Sequence, residues 1–337
     1  MGDSESSDIL ARARSGDDRA FAELVAPHER ALFRHCYRML GSGSDAEEAV
    51  QDALERAWRR LDTYDGSGVF GAWLYRIASN GCIDRLRTRK RRANPLRHGP
   101  PLDGAPPSAA PDLSLSWTEP VADDVLGVAG DPAGEVIRRE HISLAFVAAL
   151  QVLPPRQRAV LLLCDVLGFN HADVAATLEI SAGSVNSLLY RARRRMQTLA
   201  VRRRDVATPD DPAFHELLAK YVTAWELADV DALVALLVDD IGFSMPPLSD
   251  WLQGVPAVTG FIEAVVFSPV RPAGIPLRIA SVNRQPACVV YDPGDTDRTR
   301  PTGLQVLDVA ATVDGPRIQH ITSYRGAEFV SAALLRL

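Results

Sequence analysis

The chain has 337 residues, of which 47% are hydrophobic and 24% are charged, and its formal net charge at pH 7 is −6. This length and composition are typical of a globular protein of about two domains and exclude a chain that is disordered throughout. The apolar run over 159–164 is far too short to span a bilayer, and the first residues form neither a basic nor an apolar region. We therefore expect a cytoplasmic protein without a membrane partner.

The four cysteines do not suggest a site of their own. Cys36, Cys82, Cys164 and Cys288 show neither a Cys-x-x-Cys pair nor a nearby histidine at metal-ligand spacing. We expect reduced, mostly buried thiols, with no metal and no other cofactor.

The negative net charge conceals two basic stretches. The chain from residue 205 onward has 9 basic and 17 acidic residues, whereas the part before it is slightly positive. Residues 76–97 include eight basic side chains and one acid, Asp84, and residues 191–204 include seven basic side chains and no acid. Two such stretches on an acidic chain predict two local contacts with a polyanion.

Residues 8–92 show the pattern of amphipathic helices, with apolar residues at three- and four-residue steps. Gly41 predicts a left-handed cap that ends one helix. Ser44 with Glu47 predicts a capping box for the next helix, which runs to about residue 60. A further helix is expected from about 69 to 92.

This last helix combines aromatic and basic side chains, among them Phe70, Trp73 and Arg76. Unpaired bases stack on aromatic rings while arginines bind phosphates, so the pattern is typical of binding to single-stranded or melted nucleic acid. The same aromatic spacing fits a packed core, and both interpretations of Phe70 and Trp73 stay open. The arginines over 85–92 are expected to have no acids that balance them, which favours a polyanion partner over a solvated face.

Eight prolines fall between residues 93 and 132, among Gly, Ala and Ser. They predict a linker over 93–134 that marks a domain boundary and could itself occupy a groove in a partner. Beyond it, a short helix capped by Asn170, a turn over 179–181 and a second helix over 182–199 capped by Ser181 predict a helix-turn-helix. A generic two-helix hairpin would show the same apolar spacing, and the arginines at the end of the second helix favour DNA binding.

A different pattern begins near residue 209. Two helices are expected over about 212–228 and 230–238, then a strand over 241–245 and a helix over about 255–266. Four β-rich stretches follow at 276–284, 286–291, 303–313 and 317–324. Helices that precede sequential antiparallel strands predict an α+β domain with a curved sheet.

Four segments, 45–58, 73–84, 153–158 and 181–195, together resemble the extracytoplasmic-function (ECF) sigma factors, the promoter-recognition subunits of bacterial RNA polymerase. The first is similar to the family's region 2 helix, the second to its promoter-melting and −10 segment, and the last two to region 4 with its −35 recognition helix. The resemblance implies core RNA polymerase, through its beta and beta-prime subunits, and promoter DNA as partners.

The resemblance also implies roles for individual residues. Contact with core polymerase is expected of Asp45, Glu48, Gln51, Leu54 and Trp58, although Leu54 and Trp58 fit a core equally well. Recognition or melting of the −10 element is expected of Asn80, Asp84 and Arg85, and the aromatic and basic pattern adds Phe70, Trp73, Arg76, Arg87 and Arg89. The residues expected at the −35 element are Ser184, Asn186, Ser187, Arg191 and Arg194.

The C-terminal part resembles SnoaL-like domains of the NTF2-like cone fold. The resemblance lies in residues 221–226, in several acids from Asp229 to Asp240, in 245–247 and in Trp251 with Gly254. Some sigma factors, the group of mycobacterial sigma factors G and J, carry such a domain as a fused regulator. The candidate residues of a cone pocket for a small ligand are Tyr221, Trp225, Met245, Trp251, Asp308 and His320.

We therefore expect a multidomain protein with two all-α sigma domains, a region 2 bundle (1–92) and a region 4 helix-turn-helix (135–204), and a C-terminal α+β NTF2-like cone (205–337). It would be a sigma factor rather than an enzyme, with activity tuned by intramolecular contact of the cone with the sigma domains. Asp308 or His320 acting as acid or base beside Tyr221 would instead make it a DNA-recruited enzyme. A repressor that uses the helix-turn-helix alone would leave 45–92 without a role.

Overall fold

The computed structural model describes residues 3–64, 69–88, 92–93, 101–102, 116–127, 142–200, 212–267, 274–295 and 297–330. The chain divides into two compact units, a first unit of Met1–Arg91 with Ala149–Leu199 and a second unit of Arg92–Ala148 with Ala200–Leu337. The domain boundaries expected at 92, 134 and 204 stay predictions. Within the ranges given above, no helix has both the length and the hydrophobicity needed to cross a bilayer.

The first unit begins with four helices: α1 (Asp3–Arg14), α2 (Asp18–Leu40), α3 (Gly43–Arg59) and α4 (Phe70–Thr88). The Asp17 carboxylate caps α2 by accepting the N–H groups of Arg19 and Ala20. Gly41 ends α2 with a φ of 74°, which confirms the predicted left-handed cap. The buried side chains at the centre of these helices include Leu32, Cys36, Met39, Ala53, Leu74 and Cys82.

The start of α3 differs from the predicted capping box. Ser42, and not Ser44, is the N-cap: its backbone is extended, and its hydroxyl accepts the N–H of Asp45 at 3.2 Å. Ser44 lies within the first turn, and its hydroxyl is 3.0 Å from that of Ser42. The prediction is wrong because the left-handed Gly41 reverses the chain direction so sharply that α3 can begin immediately after Ser42.

Four more helices follow: α5 (Leu144–Leu150), α6 (Pro155–Leu161), α7 (His171–Leu178) and α8 (Ala182–Ala200), with a π-helical turn over Leu162–Val166. Asn170 and Ser181 cap α7 and α8 as predicted, since their side-chain oxygens accept the N–H groups of Asp173 and Ser184 at 2.9 and 3.2 Å. The predicted helix-turn-helix is therefore present. The buried residues on its two helices are Val174, Leu178, Val185, Leu189 and Ala192.

The second unit contains a six-stranded sheet in the order β4-β3-β8-β7-β6-β5. Its strands are β3 (Leu237–Ser244), β4 (Trp251–Gln253), β5 (Leu277–Val282), β6 (Gln285–Tyr291), β7 (Pro301–Thr312) and β8 (Gly315–Arg325). β3 and β8 are parallel, and the other neighbours are antiparallel. A separate short parallel pair joins β1 (Arg92–Ala93) to β2 (Ser116–Trp117).

Three helices pack on one face of this sheet: α9 (Pro212–Glu226), α10 (Val230–Val234) and α11 (Val255–Phe261). Helices and sheet together confirm the expected α+β architecture. The helix expected over 230–238 is shorter than predicted, because Leu237 already belongs to β3. β4 has three residues, too few for an alternating pattern to be recognised in the sequence.

The opposite face of the sheet is partly covered by residues from the proline-rich segment and from the start of α5. Ala122 and Leu144 pack with Val282, Val289 and Tyr324 in a second apolar cluster. Ala122 also forms an isolated antiparallel bridge with Val282 on β5. Ala122 of this segment thus belongs to the core of the second unit, and Val125 packs against that core.

Candidate polymerase and nucleic-acid interface

The residues of α3 that were expected to contact polymerase do not form one exposed face. Glu48 and Gln51 are exposed, whereas Asp45 is buried at the capped end of the helix. Leu54 and Trp58 are half-buried, and the centroid of the Trp58 ring lies 4.9 Å from that of a phenylalanine on α2. The assignment stays a prediction, and Glu48 and Gln51 are the members most accessible to a partner.

The aromatic residues of α4 pack against one another. The Trp73 ring lies 5.5 Å from that of Phe70 and 5.6 Å from that of Tyr64. Trp73 is 9% exposed, and Phe70 is half-buried. Trp73 therefore serves chiefly as a core residue, with little of its ring accessible for stacking on a base.

A cavity of about 500 Å³ opens between α3, α4 and the end of α7. Four of the residues predicted to act at the −10 element line it, namely Trp73, Arg76, Asn80 and Asp84. The sequence patterns did not single out Arg56 and Arg60, whose four-residue spacing brings them to the same side at the end of α3. Three arginines beside a tryptophan and an amide have the chemistry to bind a nucleic-acid strand. The remaining lining residues are Thr63, Ile77 and Glu179.

The other basic residues of α4 differ in their surroundings. Arg85 forms ion pairs with Glu48 and Asp52 of α3. Arg87 is exposed and lies 3.2 Å from Asp84 in its own helix. The expectation that no acid balances Arg85 is therefore wrong, because the acids come from the neighbouring helix. Arg89 lies outside the described residues.

Helix α8 presents a polar and basic face. Its exposed candidates are Asn186, Ser187, Arg191 and Arg194, and Ser184 is half-buried near the helix start. Tyr190 is 67% exposed on this surface although its side chain is large and aromatic. Arg193 donates two hydrogen bonds, of 3.0 and 2.6 Å, to the Asp165 carboxylate. Asp165 thus holds Arg193 in place, whereas Arg191 and Arg194, which were predicted to act at the −35 element, stay accessible.

A buried polar network joins the early and late helices of the first unit. Arg158 on α6 is 2% exposed, and its guanidinium donates to the carbonyl oxygens of Met39, Gln151 and Leu153. It also donates to the side-chain oxygen of Gln151, whose own amide donates to the carbonyl of Arg38 at 3.3 Å. A buried charge with these partners fixes the position of α6 on the end of α2.

The end of α7 lies against α4. Asn80 donates a long hydrogen bond of 3.4 Å to the carbonyl of Thr177, and the Tyr75 ring meets that of Phe169 edge-on at 5.7 Å. The amide of Asn80 is therefore engaged within the chain. A DNA base that used this amide would first have to displace the Thr177 carbonyl.

His35 on α2 lies beneath α4 as a buried neutral group. Its Nε2 is 2.9 Å from the Ser79 hydroxyl, and its ring meets Tyr75 edge-on at 5.2 Å. Burial, with a smaller contribution from the charge of Arg38, lowers the pKa of His35 to about 3. Burial also raises the pKa of Tyr75. His35 and Tyr75 are thus both uncharged near pH 7.

The candidates for a cone pocket lie within the packed interior of the second unit. Tyr221, Trp225 and Met245 belong to the core between helices and sheet, and Trp251 is buried on β4. The Tyr221 hydroxyl donates to the Gln305 side chain at 2.8 Å, and burial raises the pKa of Tyr221. A cavity of about 260 Å³ in this unit lies elsewhere, lined by Glu226, Gly274, Pro276, Asp295 and Arg298.

Asp308 and His320 do not lie beside Tyr221. They face each other directly across β7 and β8. Their strand neighbours Leu307 and Ile321 pack in the core that contains Tyr221. Because consecutive side chains of a strand point to opposite faces, Asp308 and His320 belong to the other face of the sheet. Asp308 and His320 therefore do not supply the acid or base expected beside Tyr221, because the register of β7 and β8 places them on the opposite face of the sheet.

Other groups on the described residues do not suggest a metal centre. His320 Nε2 lies 3.0 Å from the Ser244 hydroxyl, a pairing of two buried side chains. The four cysteines are free thiols, of which Cys164 is half-buried and the others are buried, as predicted. No group of three or more histidine, cysteine or acidic side chains is arranged to hold a metal ion in the part of the chain that the structure describes.

A single asparagine at the turn between β5 and β6 holds two parts of the segment that precedes α5. Asn283 is fully buried with a φ of 52°, a conformation that asparagine tolerates better than most residues. Its side-chain oxygen accepts the N–H of Val121 at 2.9 Å, and its amide donates to the carbonyl of Ile142 at 2.7 Å. The Tyr324 hydroxyl donates to the carbonyl of Thr118 at 2.9 Å.

Comparison with known proteins identifies the two helical segments. Residues 24–92 match the Sigma-70 region 2 family, and residues 143–196 match the Sigma-70, region 4 family. The ECF RNA polymerase sigma factor SigG of Mycobacterium tuberculosis (strain ATCC 25618 / H37Rv) is 40% identical over 317 residues, which cover 92% of this chain and 82% of that protein. SigW of Bacillus subtilis (strain 168) is 31% identical over 188 residues, which cover 56% of this chain and 92% of SigW.

One solved structure resembles most of the chain. The crystal structure of the Mycobacterium tuberculosis ECF sigma factor SigJ aligns with a TM-score of 0.58 at 22% identity. The alignment covers 90% of this chain and 97% of that one, and it supports a shared fold that includes the C-terminal helices and sheet.

Proposed function

The chain belongs to the ECF sigma-70 family and directs promoter-specific transcription initiation, and we propose how its helices and sheet divide that activity. Sigma factors of this family bind core RNA polymerase and promoter DNA and are not enzymes. We propose that α3 contacts polymerase, that α4 recognises the −10 element, that α8 recognises the −35 element, and that the C-terminal sheet modulates these activities.

For polymerase, the proposal rests on the exposed acids of α3. Glu47, Glu48 and Glu55 are exposed along this helix, together with Gln51, and of these acids Glu48 also pairs with Arg85 and Glu55 with Arg59. Such a surface suits a basic partner, and we infer that it meets the beta and beta-prime subunits. Asp45 is left out of the contact because it is buried.

For the −10 element, the arginine-lined cavity supports the assignment. Arg76, Asn80 and Asp84 on α4 share it with Arg56 and Arg60 of α3. Arginines bind phosphates, and polar side chains distinguish the edges of an unpaired base. A melted strand is a better match than a duplex, because the opening lies in a concave surface.

For the −35 element, the exposed face of α8 supports the assignment. The recognition helix of a helix-turn-helix enters the major groove with its N-terminal residues near the bases. Ser184, Asn186 and Ser187 occupy that end, and Arg191 and Arg194 follow one and two turns later. We infer that the first three approach base edges and the arginines approach phosphates.

The proposed regulatory role rests on the two side-chain hydrogen bonds that Asn283 forms with the segment between regions 2 and 4. This segment must link two DNA-binding parts of a sigma factor, and the C-terminal sheet binds it through Val121 and Ile142. Release or retention of the segment would change how freely the two parts can move. We propose that the C-terminal domain modulates initiation through this contact.

Transcription of genomic fragments from the source organism, with core polymerase and the full chain, tests the proposal. Sequencing of the transcript 5′ ends supplies the promoters. Asn283→Gly keeps the left-handed backbone and removes both side-chain hydrogen bonds. Val313→Gly, at a fully exposed position, is the control. We expect Asn283→Gly to change transcript yield at least twofold with unaltered core binding, and an unchanged yield would refute regulation through these two side-chain hydrogen bonds.

A further inference from the structure

The guanidinium of Arg85 on α4 bridges two carboxylates of α3. Its Nη1 donates to Glu48 Oε2 at 3.0 Å, and its Nη2 donates to Asp52 Oδ2. The Arg85 side chain is 21% exposed, against 58% for Arg87 two residues later. The pKa of Arg85 is raised, chiefly by the hydrogen bond to Asp52. Arg85 is thus committed to contacts within the protein.

The bridge also balances charge on α3. Glu48 and Asp52 are four residues apart, so their like charges lie side by side on the helix surface and repel each other. A guanidinium between them offsets this repulsion. It carries several donors in a rigid planar fork and can hold two carboxylates at once, whereas a lysine ammonium is a single compact charge.

Arg87 provides a contrast within the same helix. Two residues along an α-helix correspond to a rotation of about 200°, so Arg85 and Arg87 leave α4 in nearly opposite directions. Arg87 pairs with Asp84 of its own helix, and both side chains are more than half exposed. Arg76 is also exposed and lines the cavity. Arg85 points to α3, and the other two arginines are accessible to a ligand.

We propose that Arg85 is a positioning residue, which clamps α4 to α3 so that Arg76 and Asn80 stay at the cavity, and that it does not itself bind DNA. The inference rests on the proposed role of α4 in DNA recognition. It replaces the direct DNA contact that the family resemblance implied for Arg85.

Binding of the full chain to a fluorescein-labelled pool of random 12-nucleotide single strands, measured at several salt concentrations, tests the clamp. Arg85→Lys keeps the charge but loses the fork, and we expect it to weaken binding about 3- to 10-fold with an unchanged salt slope. Asp52→Asn removes a negative charge yet should also weaken binding, because it breaks the same bridge. Arg87→Gln is the matched control and should reduce the salt slope by about 0.7.

The outcomes separate the clamp from the proposed function of α4. Wild-type affinity in Arg85→Lys, or tighter binding in Asp52→Asn, would overturn the clamp. An unchanged salt slope in Arg87→Gln would instead refute DNA binding by α4. Urea unfolding tests the bridge independently of DNA binding. The changes that Arg85→Lys and Asp52→Asn cause in the free energy of unfolding should be non-additive in the double variant, because each breaks the same bridge. Additive changes would overturn the clamp.

Discussion

Helices α4 and α8 both carry basic stretches, yet they use their arginines differently. On α8 the buried residues Val185, Leu189 and Ala192 form one stripe, and Arg191 and Arg194 stay exposed. Helix α4 packs against α2, α3, α6 and α7, and acids of α3 take up one of its arginines. Each helix nevertheless loses one arginine to an acid of a neighbouring element, Arg85 on α4 and Arg193 on α8, so a run of arginines overstates the number of side chains that are open to a polyanion.

The largest effect is expected at the buried hydrogen-bond network of Arg158, which joins α6 to the end of α2 in the first unit. Arg158→Ala should lower the free energy of unfolding by about 3 kcal/mol or more, because buried carbonyls of Met39, Gln151 and Leu153 lose their donor. Urea denaturation measures this loss. Arg156→Ala, at an exposed position in the same helix, is the control, and equal stability of the two variants would contradict the network's role.

The second prediction concerns α8 alone. Arg191→Ala or Arg194→Ala should weaken binding to duplex promoter DNA several-fold and reduce the salt slope by about 0.9 for each phosphate that the variant no longer binds. Arg193→Ala is the matched control because Asp165 holds Arg193 in place. Fluorescence anisotropy of the polymerase holoenzyme on labelled promoter DNA measures both quantities. If all three variants reduced the salt slope equally, the ion pair with Asp165 would not keep Arg193 from binding phosphate, and the prediction would be contradicted.

The third prediction concerns the pH dependence of stability that is caused by His35, buried beneath α4. Because the folded pKa of His35 is about 3, below the usual value near 6.5, the unfolded chain binds more protons between these pH values. The stabilising effect of the neutral imidazole is complete above about pH 7 and is lost as the pH falls. From pH 7 to 5.5 we expect a loss of about 1 kcal/mol.

Urea unfolding at the two pH values measures this loss. In His35→Gln most of the pH dependence should disappear, whereas in His171→Gln, at an exposed position, it should persist. A pH dependence that survives in His35→Gln would assign it to other groups and contradict the prediction.

The smallest effect is expected at the start of α3, the helix that supplies acids to α4. Ser42→Ala should destabilise the protein by about 0.5–1 kcal/mol, because the N–H of Asp45 loses its capping oxygen. Ser44→Ala should have little effect, since Ser44 lies within the first turn. Thermal denaturation compares the two variants, and a larger effect at Ser44 would restore the capping box that the sequence suggested.

Most features that depend on neighbouring residues in the chain could be predicted, with the cap of α3 as an exception, whereas the side-chain partners that lie far away in the chain could not. The caps at Gly41, Asn170 and Ser181 follow from local backbone preferences. The partners of Arg85 lie more than 30 residues away on another helix, so a count of charges along the segment misses them. The separation of Asp308 from Tyr221 depends on sheet register, which no single strand specifies.

The close fit between Gly41 and Gln151 has a consequence for exchanging parts between related proteins. A Cβ atom at Gly41 would lie 2.9 Å from the Gln151 side chain, and the backbone there is left-handed as well. Gln151 in turn accepts a hydrogen bond from Arg158. A chimaera that combines these first helices with the later helices of another protein replaces Gln151 and Arg158 together, so the incoming residues must supply donors for the carbonyls of Arg38 and Met39.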